Sequence, residues 1–146
     1  LAEHKRHHEQ MEAELAEGLP TVVVNAYSLE EVVLNLLSNA RDAVQAQRGL
    51  GGDGFVPEVV VRSLMGDPGW VQVEVEDNGT GIPTENVQRV FDPFFTTKDP
   101  DRGTGLGLSV SRSIIEEFGG GLELRSEPGE GTKATISLPA VEQMGD

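Results

Sequence analysis

The chain has no cysteine in its 146 residues. That excludes a disulfide framework and any thiolate-held metal or cluster. Basic residues are scarce: 11 Lys and Arg stand against 25 Asp and Glu, for a net charge of −14. A protein that grips a nucleic-acid backbone needs a basic face, so the charge argues against nucleic acid as a partner. A small phosphate ligand is not, because it needs only local N–H donors, a metal ion and one or two placed cations. Long apolar runs are missing too. The run VVLNLL at 32–37 is broken by Asn35 and is far too short to span a bilayer. The first ten residues, LAEHKRHHEQ, have no apolar centre and do not read as a secretory signal. A chain that opens on Leu rather than Met reads as a piece of something longer. Aromatics number one Trp, one Tyr and five Phe, yet three of the Phe fall within positions 91–95.

What is present is periodic. Gln10–Leu15 alternates and predicts a strand; Val22–Val24 predicts a second one. Ser28 followed by Glu31 has the spacing of a capping box, and helical spacing from Leu29 to about Gln47 puts Val33, Leu36, Leu37, Ala40 and Val44 on one face. A glycine-rich loop covers 49–54. Glu58–Leu64 and Trp70–Glu76 predict a hairpin around Gly66–Gly69, with Val71, Val73 and Val75 inward. Thr84 to about Phe91 predicts a short helix. Leu106–Phe118 predicts a longer one, stopped by three glycines. Leu122–Ser126 and Lys133–Leu138 predict a closing hairpin. Strands and helices do not alternate strictly, which gives an α+β chain with helices on one face of a mixed sheet. Residues 1–9 read as a linker, 10–139 as one domain and 140–146 as a tail.

Four stretches could carry chemistry. At about 100° per residue, Glu31, Asn35, Asn39 and Asp42 fall within roughly 80° of one another, opposite the apolar face. Asn competes for backbone hydrogen bonds inside a helix, so two of them four apart invite an explanation. Amide oxygens suit Mg²⁺, and a carboxylate one turn away can accept a proton; the plain alternative is a solvated face. In EDNGTGIP, Asp77 ends a core strand and Gly79 and Gly81 allow close backbone approach. A carboxylate there can accept from adenine's exocyclic amine and would repel guanine's carbonyl; the alternative is a simple Asn-Gly turn. In FDPFFTTKDPDRGTGLGL, the glycines open a helix whose free N–H groups can cradle phosphate, with Lys98 and Arg102 as cations. Phe91, Phe94 and Phe95 would anchor a lid at one end, or form a satellite of the core. In GEGTKATISLP, Thr132 places a hydroxyl at the start of the last strand.

Taken in order, NLLSNARDA, DNGTGI, FDPFFTTK, GTGLGLSVSRSIIEEFGG and GEGTKATISLP resemble five motifs of one family. They are the asparagine box, first glycine box, phenylalanine box, second glycine box and closing hairpin of the catalytic ATP-binding domain of bacterial sensor histidine kinases. Gyrase, the MutL repair proteins and the ATP-dependent heat-shock chaperone share its superfamily. The resemblance covers about residues 10–139. It implies a two-layer α/β sandwich of the Bergerat type, whose mixed, mostly antiparallel sheet is covered on one face by helices.

The resemblance also implies roles. Asn35 matches the Mg²⁺ ligand, and Asn39, with Asp42 nearby, the metal–phosphate region. Glu31 matches the general base of the hydrolytic relatives, or in kinases a group orienting the accepting imidazole. Asp77 matches the adenine-binding carboxylate, with Gly79, Gly81 and Ile82 as its wall and Thr132 beside it. Lys98 matches a lid contact to phosphate, with Thr97 and Arg102 near it. Gly103, Thr104, Gly105, Leu106, Gly107 and Leu108 match the phosphate loop. Ala134 departs from a position where Phe is frequent. ATP and Mg²⁺ are the implied ligands. The implied partners are a phosphoacceptor-histidine dimerisation domain of the same protein and a response-regulator receiver domain, with a homodimeric parent, a monomeric fragment and a cytoplasmic site of action. The acceptor is not in this chain: His4 and His7 have no such context, and His8-Glu9 is followed by Glu12 and Ala13 where Asn or Thr and Pro would stand. Two rival implications are a stand-alone anti-sigma-factor-like Ser/Thr kinase and a non-catalytic nucleotide-dependent docking module.

Overall fold

A computed structural model describes residues 10–51, 54–95 and 107–141. Five strands form one sheet: β1 (Gln10–Leu15), β2 (Glu58–Met65), β3 (Trp70–Asp77), β4 (Gly121–Glu127) and β5 (Gly131–Pro139), in the order β1-β2-β3-β5-β4. β1 pairs with β2 in parallel, and the other three pairings are antiparallel. Helices α1 (Ala26–Gly51) and α2 (Gly107–Glu117) complete the described elements, with a single 3-10 turn at Thr84–Asn86. This is the α+β layer arrangement expected, with a mixed, mostly antiparallel sheet.

Alternation sends one side chain in two from β2 to β5 toward the helices. Val59, Val71, Val75, Leu122, Ala134, Ile136 and Leu138 are buried there. α1 meets them with Val32, Leu36, Ala40 and Val44, an unbroken i, i+4 stripe no more than 3% exposed, and α2 adds Ile115 at 0%. Val32 is the stripe's first member although the expected face omits it; Val33 and Leu37 flank the stripe and pack against the core half-buried. The opposite sheet face is polar. There Arg62 on β2 ties neighbouring strands together, with Nε 2.9 Å from Glu14 on β1 and Nη1 2.6 Å from Glu76 on β3.

Four local expectations are corrected. Val22–Val24 forms no strand: Val22 makes one isolated bridge, to Ala140. Pro20 removes a donor just before it, and Asn25 begins a helix just after it. The helix cap is Asn25, not Ser28. Asn25 Oδ1 accepts the Ser28 N–H at 3.0 Å, and the Asn25 carbonyl accepts the Leu29 N–H at 3.0 Å. That starts α1 three residues early, while its far end runs through Gly49 to Gly51. Thr84–Phe91 is one 3-10 turn followed by further turns, since a segment between Pro83 and Pro93 is too short to repay helix nucleation. The three Phe do not act as one anchor. Phe91 packs against the core beneath the Arg112 guanidinium, 4.4 Å from the ring centroid, and Phe95 lies 4.7 Å from Arg89. Phe94 is 72% exposed at φ 69°, a backbone region that non-glycine residues rarely adopt.

If Asn25 is the cap, Asn25→Ala should lower unfolding stability by about 1 kcal/mol. Ser28→Ala should change it by less than about 0.5 kcal/mol. Urea midpoints at constant slope measure both, and a larger loss at Ser28 would restore the capping-box assignment.

Candidate functional site

The apolar stripe of α1 sets the position of its polar neighbour. Leu36 is buried in the core, so Asn35 is held half-buried at its edge, against the start of α2. A Cβ on Gly107 would stand 2.7 Å from Asn35 Oδ1. Asn35 Nδ2 donates to Ser111 Oγ at 3.2 Å, and Ser111 is 3% exposed. The amide nitrogen therefore faces Ser111, and the amide as a whole lies against the first turn of α2, where backbone N–H groups lack intrahelical acceptors. Glu31 is exposed one turn earlier on α1, and Asn39 and Asp42 are half-buried farther along it.

Two turns beyond Asn35, α1 touches the turn that follows a second polar group. Asp77 ends β3 and is only 9% exposed. Its Oδ1 accepts the Gly79 N–H at 2.8 Å, and the Thr132 backbone N–H also bonds its carboxylate. Burial nevertheless pushes the carboxyl up from 3.8 to about 6, against the lowering effect of those two donors and with a smaller push from Glu76. Desolvation wins because it acts on the whole charge.

The chain between Asp77 and Pro83 is fixed on both sides. On one side the Thr80 N–H donates to the Ala43 carbonyl of α1 at 3.2 Å, and a Cβ on Gly79 would lie 2.6 Å from the Ala43 Cβ. On the other, Gly81 sits at φ 73°, where an added Cβ would overlap the Glu127 carbonyl. Gly129 N–H donates to the Thr80 carbonyl at 2.7 Å, and Ile82 N–H donates to Ser126 Oγ at 2.7 Å. Asn78 faces away from the site. Its amide accepts the Glu58 N–H and donates to the Val56 carbonyl, both at 2.8 Å. Gly79 and Gly81 are thus required by close approach.

Of the residues expected at the site, the structure brings Asn35 to Gly107, and Asp77, Gly79, Gly81, Ile82 and Thr132 into one corner. Leu108 packs against the core. Thr97, Lys98, Arg102, Gly103, Thr104, Gly105 and Leu106, with the expected lid, lie outside the described residues. Two residues escaped the sequence reading, Ser111 and Ser126. Each leaves a readable signal: a hydroxyl in an apolar register. Ser111 lies four before buried Ile115, and Ser126 continues the inward set Leu122 and Leu124.

Residues 24–142 match the family described as histidine kinase-, DNA gyrase B-, and HSP90-like ATPase. The chain belongs to that family. Among curated relatives of this ATPase-family domain, the two-component sensor PprA of Pseudomonas aeruginosa is 45% identical over 114 residues, 78% of the chain. The sensor protein FixL of Bradyrhizobium diazoefficiens is 34% identical over 144 residues, 98% of the chain. The domain spans only 12% of the first protein and 26% of the second. Among solved structures, the mycobacterial sensor histidine kinase MprB superposes with a TM-score of 0.74 at 26% identity, covering 97% of this chain and 89% of that one. The catalytic domain of histidine kinase ThkA gives 0.70 at 28% identity over 91% of this chain and 81% of that one.

The buried carboxyl has a stability signature. Between about pH 4 and pH 6 the native domain holds a proton on Asp77 that the unfolded chain has released, so this residue's contribution falls as pH rises through that window and is flat above it. The total is on the order of 2–3 kcal/mol. Asp77→Asn should lack this fall. The difference between mutant and native urea midpoints should therefore shift in the mutant's favour from pH 4 to pH 6; a constant difference would remove the burial argument.

Proposed function

We propose that this domain binds ATP with Mg²⁺ and transfers the γ-phosphoryl group to a histidine on another domain of its parent sensor kinase. The carrying observation is the placement of two unlike polar groups along one helix. Asn35 meets the α2 N-terminus, and Ala43, eight residues on and about 12 Å along the axis, meets the turn that holds Asp77. That is the scale of an extended nucleoside triphosphate, with its phosphates at the Asn35 end and its base at the Asp77 end. The two named relatives are sensors, the two solved structures are histidine kinases, and the family is one of ATPases.

Asp77 accepts a hydrogen bond from adenine's exocyclic amine. The side-chain oxygens available at the other end, on Asn35, Asn39 and Asp42 of one helix, are of the hard type that would hold a Mg²⁺ ion. Mg²⁺, when bound, neutralises phosphate charge and keeps several of its waters. Lys98, with Thr97 and Arg102, contacts phosphate from the segment before α2, and the run from Gly103 to Leu108 supplies backbone donors. In the transfer, the imidazole nitrogen forms a bond to the γ-phosphorus as the bond from phosphorus to the β–γ bridging oxygen breaks, and ADP leaves. Glu31 is exposed and orients the incoming imidazole, accepting its N–H proton. Catalysis of this kind is mainly positioning and charge stabilisation. The next acceptor is a response-regulator receiver domain.

The parent's phosphoacceptor domain, incubated with this domain and γ-labelled ATP, should gain acid-labile phosphate. Asn35→Ala should lower that rate by at least about 100-fold while leaving nucleotide affinity in chelator unchanged. Acid-stable label would indicate transfer to a hydroxyl and overturn the histidine assignment. Equal affinity for ATP and GTP would overturn the role of Asp77.

A further inference from the structure

Ser126 makes three contacts with one hydroxyl. It accepts from Ile82 N–H at 2.7 Å, donates to the Gly131 carbonyl at 3.0 Å, and lies 2.8 Å from Thr132 Oγ1. A serine hydroxyl has one proton and two lone pairs. A backbone N–H can only donate and a carbonyl can only accept, so the Ser126 proton goes to Gly131. In the remaining contact Thr132 must therefore be the donor. Its single proton is spent on Ser126, and toward anything else Thr132 Oγ1 can only accept.

Asp77 and Thr132 are directly paired across β3 and β5, which sets their Cβ atoms about 4.5–5.5 Å apart on one face of the sheet. The carboxylate is itself an acceptor. Two acceptors on neighbouring strands of one sheet face can serve the two N–H bonds of one primary amine on a planar ring. A ring carbonyl in the same place would meet two lone-pair surfaces and find no proton.

We propose that Ser126 is a specificity-determining positioning residue: by taking the Thr132 proton, it fixes Thr132 as the second acceptor for a 6-amino purine and excludes 6-oxo purines. It touches no nucleotide itself and acts through Thr132. The proposal rests on the reading of the Asp77 corner as the base site.

The test is calorimetric titration of the domain with ATP and with ITP, which differ at the 6-position. The native domain and Ser126→Ala, Thr132→Val and Ser126→Ala/Thr132→Val variants are compared. The native domain should prefer ATP by at least about 100-fold. Ser126→Ala frees the Thr132 hydroxyl to turn and donate, so the preference should narrow by about tenfold, chiefly through tighter ITP binding. That gain should disappear in the double variant. A purely structural role would weaken both nucleotides alike, so an unchanged ATP-to-ITP ratio in Ser126→Ala overturns the proposal, as does persistence of the ITP gain in the double variant. If the native domain binds ATP and ITP equally well, or neither, the base-site reading itself fails. Thermal melting of each variant without nucleotide separates a folding loss from both results, and Ser126→Thr, which keeps the hydroxyl, should restore the native ratio.

Discussion

The stripe Val32, Leu36, Ala40 and Val44 pressed onto the sheet is the contact from which the rest follows. Each member is buried to within a few per cent, and their i, i+4 spacing fixes both the rotation and the axial position of α1. Rotation decides that Asn35 borders the core instead of pointing into water. Axial position decides that Ala43 meets the turn after β3. A helix rotated by one residue would bury Asn35 or expose Leu36, and a helix slid by one turn would lose its bond to Thr80. The polar groups are placed by apolar burial, whose energy is roughly proportional to area and indifferent to chemistry.

The second organising feature is the corner where β3, β5 and β4 end. Asp77 is buried against its electrostatic preference, pushed up to about 6, and its neighbours are arranged around that charge. Gly79 and Thr132 offer backbone donors, Gly81 brings the chain against the Glu127 carbonyl, and Ser126 closes the ring of hydrogen bonds. A buried carboxyl whose pKa is raised by desolvation is the kind of group that clusters at functional sites.

Much of this was legible from the residues. Composition and alternation located every strand of the sheet to within two residues; in β3 and β5 burial on one face enforces the period of two, whereas β1 is exposed from Met11 to Leu15. Glycines at 119–121 ended α2 as expected, and Gly119 takes a positive φ. Asn35 and Asp77 stood out because an amide mid-helix and an acid ending an apolar strand contradict their surroundings. Other features were not legible, and for physical reasons. Val22–Val24 has strand composition, but strand pairing is a tertiary property, and only Val22 finds an opposite number. Ser28 matched a capping box, yet Asn25, an equally good cap three residues earlier, won. The Phe cluster could not be divided by composition into one core residue and one exposed one. Ser111 and Ser126 carried their signal only against the apolar registers of their own elements, visible once the inward faces are known.

β1 and β2 run parallel, and neighbours in that ladder, such as Glu14 and Arg62, are far apart in sequence. A parallel pair needs a crossover between its strands, and here the crossover is α1. Closing that long loop is entropically unfavourable and comes early in no folding route that favours local contacts first. The hairpins β2–β3 and β4–β5 can zip from their own turns; α1 can settle only when the sheet offers it a surface. The element that carries Asn35 is thus also the connection that lets β1 lie parallel to β2.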